Sequence, residues 1–444
     1  MNADVAIIGG GMSGLATGAL LGKAGKRVVV LERGNQVGGR AYTYEEKGFT
    51  LNYGPHALYR PTTGPYGEIM RRLELPAPEY GQPDPARSFW SDRDRFASLG
   101  SRAHQAMTTK LFSIGSRIEF AKLMLALRGE KPGRLGDQTW GEWLSSKTND
   151  DAVRRFALAL ACVNTYGHPS ADLSARWLIS HFQRNLWAKD YVGYMSGGWR
   201  SMYEAFASAI ESSGGAVVTG ARVDVLEQDA DGRIIAAATP VGRYEADAFV
   251  STLPPQQAPA LASDGSPLAA ELGQWATLVD VRAHCIDLGF SRSLRDDLTF
   301  VFDVERDLYY SLHSEVTPDL APAGGQLMHA MAYLSAGDAA DESRIQRRHE
   351  ELVSGLDRFF PGWRDAVVVE RTLHNAQISS ARRTPEQIKR LVPLRSSVAE
   401  NLYFATDARD IPYNLSEVVF AAALEVADAI ASRAPARTAK AGVA

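Results

Sequence analysis

The opening of the chain limits its folding more than any other stretch. Asp4-Val5-Ala6-Ile7-Ile8 is a short apolar run rich in β-branched residues and reads as a buried parallel strand. Gly9-Gly10-Gly11-Met12-Ser13-Gly14 follows at once and sets Gly9, Gly11 and Gly14 in a GxGxxG pattern. Leu15, Ala16, Ala19 and Leu20 keep a helical pattern ending near Gly25, and Arg27 to Leu31 forms a second strand closed by Glu32. The first glycine permits the tight turn, the second lets a pyrophosphate approach the backbone, and the third lets helix pack on strand. The helix start, with Met12 and Ser13, offers free N–H groups and a positive dipole end to the phosphates. Glu32 can accept hydrogen bonds from a ribose 2′-hydroxyl and would repel a 2′-phosphate. A glycine-rich surface turn is the bland alternative, but strand, glycines, helix, strand and acid in this order predict a dinucleotide site.

Composition narrows the class further. The chain has 444 residues, 45% hydrophobic and 23% charged, which excludes a disordered, collagenous or coiled-coil protein. Lys+Arg total 48 and Asp+Glu 52, and a net charge of −4 gives no bulk attraction to nucleic acid. The only cysteines, Cys162 and Cys285, form neither a disulfide framework nor a CxxC motif. The nine histidines contain no HxxH or HExxH pair, so no metal is expected. No apolar run spans a bilayer, and no basic leader precedes the first strand, so a cytoplasmic protein is expected.

The fingerprint alone does not separate NAD from FAD; the next segment does. Glu32-Arg33 is followed by Gly38-Gly39-Arg40 and Thr43, then by Leu51-Asn52-Tyr53-Gly54-Pro55-His56-Ala57-Leu58-Tyr59. These residues resemble the glutathione-reductase-like flavoproteins, in the branch of amine oxidases, protoporphyrinogen oxidases and phytoene desaturases, and look most like bacterial desaturase-type oxidoreductases. The resemblance implies an α/β fold: a Rossmann-like FAD-binding domain with an inserted α+β substrate-binding domain. It further implies that Gly38, Gly39 and Arg40 lie along the FAD diphosphate, with Arg33 beside Glu32. Gly54 and Pro55 would pass the isoalloxazine ring, and His56 would stand over the flavin or line the substrate cavity. A hydrogen-bonded loop histidine is the other reading of His56.

Two later blocks carry the same resemblance. Tyr194 to Trp199 precedes an amphipathic helix with Met202, Ala205, Phe206, Ala209 and Ile210, stopped by Gly214-Gly215. Ala221 to Leu226 then matches a strand whose backbone, at Val223, meets the adenine. A hairpin around Asp231-Gly232 and a strand over Tyr244–Thr252 follow. Asn401 to Asp407 matches the last strand, where Asp407 would hold a ribityl hydroxyl. Leu415-Ser416-Glu417-Val418 opens a helix aimed at the flavin pyrimidine edge. Thr406 replaces the usual glycine, and the helix start lacks its usual glycine, so Val418 is expected to crowd the ring.

The implied division is an FAD-binding domain over 1–60, 194–255 and 395–432, a substrate domain over 61–193 and 256–394, and a tail over 433–444. The first substrate segment reads as mostly helical. Leu111, Ile114, Ile118, Ala121 and Leu125 form a stripe expected to be core, the alternative being weak peripheral membrane contact. The second reads as antiparallel β with a helix over Asp341–Phe360. There Tyr310, His329, Met331 and Tyr333 are candidates for the cavity wall, with Tyr310, Tyr333 and His56 as candidate catalytic positions.

The expected reaction is hydride removal from a mainly apolar small molecule to FAD. With no second GxGxxG and no CxxC, the electrons are expected to pass to O₂, a quinone or another external acceptor. No lysine occurs between Gln256 and Gln387, which favours desaturation over amine oxidation, the main alternative. A redox-neutral isomerase or mutase, or a non-catalytic FAD binder, stays open.

Overall fold

The computed structural model describes residues 2–100, 105 and 108–433. The expected tail, 433–444, lies outside the described residues from 434 onward. The chain begins with β1 (Asn2–Ile8), α1 (Met12–Lys23) and β2 (Val28–Leu31). The first middle segment contributes β3 (Ser88–Asp92), β4 (Arg95–Ser98), α2 (Ile114–Gly129) and α3 (Asp151–Thr165). After α4 (Arg200–Ser212) come β5 (Ala216–Val218), β6 (Val225–Gln228), β7 (Ile234–Thr239) and β8 (Gly242–Ser251). The second middle segment gives β9 (Val281–Phe290), β10 (Phe300–Asp303), β11 (Leu308–Leu312), β12 (Gln326–Leu334), α5 (Glu342–Phe359) and β13 (Val367–Ser379). β14 (Leu402–Phe404) and α6 (Leu415–Ala431) close the described chain.

Two seven-stranded sheets organise these elements. The first runs β5-β2-β1-β8-β7-β6, with β14 also on β8. β5, β2, β1, β8 and β14 are parallel, and β6–β7 is an antiparallel hairpin. Val28, Val29, Val30 and Leu31 are all buried, as a strand covered on both faces requires. α1 packs between this sheet, α4 and α6. The strand expected over Ala221–Leu226 begins only at Val225; Ala221 to Asp224 is a link whose Ala221 N–H bonds the Glu32 carbonyl at 2.8 Å.

The second sheet runs β13-β9-β12-β11-β10-β3-β4. β3 and β4 come from the segment read as mostly helical, and β3 joins the sheet through a parallel pairing with β10. One face packs on α5 through Tyr310, Met328, Ala330, Leu352 and Leu356. The other turns Tyr309, Met331 and Tyr333 toward the helical layer of Phe156, Trp177 and Phe182.

The α2 stripe is corrected by the structure. Ile114, Ile118 and Leu125 are 76%, 49% and 71% exposed, while Phe120, Leu123 and Leu127 face the core. Both sets keep helical spacing, and Phe120 wins because its ring packs against Phe112 and Phe156 at 5.2 and 5.6 Å. Among the described residues no helix is long and apolar enough to cross a membrane.

Candidate active site

The glycine turn is shaped by close backbone approach. Gly9 has φ +107°, and its N–H bonds the Leu31 carbonyl at 2.9 Å. A Cβ on Gly14 would stand 2.0 Å from the Gly9 carbonyl oxygen, so only hydrogen lets α1 lie against the end of β1. Gly11 caps α1 without a side-chain partner, and a Cβ there would meet nothing within 4 Å. The start of α1 therefore faces open space with its N–H groups unspent.

The second glycine turn lies alongside. Gly38 has φ +113°, and its N–H bonds the Gly10 carbonyl at 2.9 Å; a Cβ on Gly39 would stand 3.2 Å from the Gly11 Cα. Glu32 holds the pair from beneath, one carboxylate oxygen accepting from Gly10 N and the other from Gly34 N, each at 2.7 Å. Arg40 pairs with Asp407 at 3.0 Å, and the same carboxylate accepts Ser380 N at 2.9 Å. Burial alone would raise the Asp407 carboxyl; the Arg40 guanidinium and the Ser380 hydrogen bond outweigh it and hold the group at about 2. That depression corresponds to about 2 kcal/mol of stability at pH 7. Asp407→Asn is expected to lose it, read as a lower urea midpoint; an unchanged midpoint would contradict the assignment.

These turns form one wall of a cavity of about 1030 Å³. Gly9, Gly11, Met12 and Ser13 line it, as do Glu32, Arg33, Gly38, Gly39 and Arg40. Val223 and Asp407 flank this end, while Pro55, His56, Tyr166, Trp199 and Leu373 enclose the other. Gly14 and Gly54 do not line it but set the backbone behind it; Gly54, at φ +80°, passes 3.5 Å from Cys285 Sγ measured from a Cβ position. The turn carrying His56 is anchored to the second sheet: Arg371 donates to the Asn52 carbonyl and pairs with Asp287, which accepts His329 Nδ1 at 2.5 Å.

His56 Nδ1 lies 2.9 Å from the Gly54 carbonyl and must carry its proton there, which makes Nε2 the unprotonated nitrogen of the neutral ring. Its ring meets Trp199 edge-on at 5.0 Å. Burial pushes it down to about 4, so it is neutral at pH 7.

Three expected positions are corrected. Val418 does not reach the cavity: it packs with Ile411, Ala421 and Ala422, because the rotation of α6 turns Leu415, Ser416 and Val419 inward instead. Tyr310 faces α5 and donates to the Leu352 carbonyl at 2.9 Å. Tyr333 is on the cavity side of its sheet but one layer back, its ring 5.9 Å from Tyr166. Tyr309, which pairs across with Met331, occupies the face expected of Tyr310. Tyr166 went unnoticed in the sequence because it sits in no motif, and Trp199, which closes the Tyr194–Trp199 block, went unnoticed as a cavity residue. So did the buried Arg60–Glu417 ion pair, 2.6 Å long, at the start of α6.

A helix terminus and two interlocked glycine turns, facing a space that no side chain among the described residues fills, fit the diphosphate of a dinucleotide. Residues 12–431 match the family model described as flavin containing amine oxidoreductase. The chain belongs to the flavin-containing amine oxidoreductase family. The family model describes a flavin-containing oxidoreductase, and FAD is the cofactor that the family implies. Among this chain's relatives, All-trans-retinol 13,14-reductase of Macaca fascicularis is 43% identical over 15% of this chain and 11% of its own length. (S)-6-hydroxynicotine oxidase of Paenarthrobacter nicotinovorans is 32% identical over 40% of this chain and 42% of that one. This chain therefore spans less than half the length of either. Phytoene dehydrogenase of Streptomyces griseus is 28% identical over 80% of this chain and 78% of that one. The crystal structure of an oxidoreductase from Methanosarcina mazei superposes with a TM-score of 0.81 at 20% identity, covering 96% of this chain and all (100%) of that one, which shows the shared fold.

Proposed function

We propose that this oxidoreductase desaturates or oxidises a mainly apolar small molecule and passes the electrons to O₂, a quinone or another external acceptor. Bound FAD supplies the hydride acceptor; the chain supplies binding, orientation and exclusion of water. Gly9, Gly11, Gly38, Gly39 and Arg40 hold the diphosphate, Glu32 the ribose, Val223 the adenine edge, and Asp407 the ribityl chain. Leu415 and the start of α6 face the ring, with His56 and the Tyr166–Trp199 aromatic wall on the substrate side.

One observation carries the reading. Away from the glycine turns the cavity is lined by Pro55, Tyr166, Trp199 and Leu373, with His56, His374, Asn375 and Gln377 as its polar groups, and no lysine among the described residues lines it. Lys389, the first lysine after Gln256, is spent on the surface, 2.5 Å from Asp137. An apolar substrate is thus favoured over an amine that needs a positioned cation or a lysine-held water. Under anaerobic single turnover, a polyunsaturated substrate is expected to bleach the flavin band near 450 nm, and simple amines to leave it. Bleaching by amines alone would overturn the proposal. Mixing the reduced enzyme with air, quinones or NAD(P)⁺ reads the acceptor, and reoxidation by NAD(P)⁺ alone would contradict this part.

A further inference from the structure

Cys162, His168 and Asp307 bring three ligand atoms together outside the FAD groove. Cys162 lies in the last turn of α3, His168 just beyond it, and Asp307 in the turn joining β10 to β11. Cys162 Sγ is 4.0 Å from His168 Nδ1, and that nitrogen is 3.4 Å from an Asp307 carboxylate oxygen. All three ligand atoms lie within 4.8 Å of one another.

The convergence on one nitrogen is informative. A nucleophile–base–acid relay uses both imidazole nitrogens, one toward the sulfur and the other toward the carboxylate. Here sulfur and carboxylate both lie toward Nδ1, and the thiol's other neighbour is the Gly167 carbonyl at 3.4 Å, so no relay through the imidazole is set up. A cation at the centre of the three serves them all. We propose that Cys162, His168 and Asp307 form a zinc site, with water in the fourth position.

The geometry is close to what zinc asks for. With Zn–S about 2.3 Å and Zn–N and Zn–O about 2.05–2.1 Å, a tetrahedral ion sets sulfur and nitrogen about 3.6 Å apart, and nitrogen and oxygen about 3.4 Å apart. The second separation is already present, the first needs a few tenths of an ångström, and sulfur and carboxylate oxygen, within 4.8 Å of each other, must also draw in. The donor set selects the metal: calcium and magnesium take all-oxygen shells, whereas thiolate plus imidazole plus carboxylate suits zinc. Cys162 is buried, while the His168 and Asp307 side chains are 23% and 27% exposed, leaving a solvent side for the water.

On binding, the Cys162 S–H proton leaves to solvent as the Zn–S bond forms, with no change of oxidation state.

The ion would tie the end of α3 to the turn between β10 and β11. Tyr166, between Cys162 and His168, lines the cavity, and its ring meets that of Tyr309, two residues past Asp307, at 6.4 Å. The site is thus a staple across the aromatic wall, and it stands whether or not the proposed substrate class is right.

The test uses the FAD-loaded enzyme, reduced, stripped with a chelator, and equilibrated with Zn²⁺ at micromolar free concentration. Metal retained after gel filtration is measured by mass spectrometry, and thermal midpoints are recorded with and without zinc. About one equivalent is expected in the wild type, with a raised midpoint. Cys162→Ser and His168→Ala should each weaken retention at least about tenfold, and Cys285→Ser should not. If Cys162→Ser fails to fold, Asp307→Asn, which keeps the shape, is read in its place, with the same weakening expected. A folded wild type retaining under about a tenth of an equivalent overturns the proposal, as does undiminished zinc in folded Cys162→Ser, His168→Ala or Asp307→Asn.

Discussion

Acidification from pH 6.5 toward 4 is expected to strip the enzyme of most of its stability. His56, His181 and His284 are pushed by burial to about 4, 3 and 4. His181 and His284 have no exposed surface, and His56 is open only toward the cavity. An unfolded chain protonates its histidines near 6.5, so between 6.5 and 4 the unfolded state binds protons that the folded state refuses. The contribution of the neutral rings is thus complete above 6.5 and is lost as the pH falls. At pH 5 each ring accounts for about 2 kcal/mol, and three together for about 6 kcal/mol, comparable to the whole margin of a folded domain. Thermal midpoints measured from pH 8 to 4.5 should fall steeply below 6.5, with flavin fluorescence rising as cofactor escapes. A flat profile across that interval would contradict the burial of these rings. His181→Gln, which cannot take up the proton, should make the profile shallower, by about 2 kcal/mol at pH 5.

Gly14→Ala is expected to yield protein that does not keep its yellow colour. The new methyl group would stand 2.0 Å from the Gly9 carbonyl oxygen and 3.3 Å from Ile7 Cγ2. The first neighbour is backbone and cannot rotate away, so the start of α1 must move by about 1 Å. That displaces the N–H groups at the diphosphate end, and it strains the 2.5 Å bond from Ser13 Oγ to the Ala405 carbonyl that ties α1 to the strand before Asp407. Overpacking of this kind costs about 1–3 kcal/mol, or about 10–100-fold in FAD retention if it falls on the bound state. Gly18→Ala is the control: its Cβ would meet the tip of the Ile210 side chain at 2.8 Å, which can yield. The flavin-to-protein ratio after gel filtration separates the two. Equal ratios in Gly14→Ala and the wild type would contradict the account.

The parts of the fold legible in the sequence are those where one geometry demands one residue. Gly9, Gly14 and Gly38 announce themselves because nothing larger fits or adopts their φ. Periodicity fixes an element but not its phase. Apolar residues surround α2, so Ile114 and Phe120 make equally good stripes until Phe112 and Phe156 supply a partner for one of them. Tyr309 and Tyr310 are neighbours on β11 with opposite faces, and which one looks at the cavity depends on where α5 docks. Val418 was expected at the ring from its place in the motif, and about a quarter-turn of α6 moved Val419 there instead. Cys162, His168 and Asp307 were invisible because their adjacency is made by the pairing of β10 with β3 and β11, not by spacing along the chain.

The first sheet draws β14 and α6 from the far end of the described chain onto strands made at its beginning. While the polypeptide is still emerging from the ribosome, the helix and turns that greet the diphosphate are made early, but the groove lacks its second side until about residue 431 has been synthesised. Completion of this lobe is therefore post-translational, and the early half waits with part of its apolar surface uncovered, the condition in which chaperones are needed.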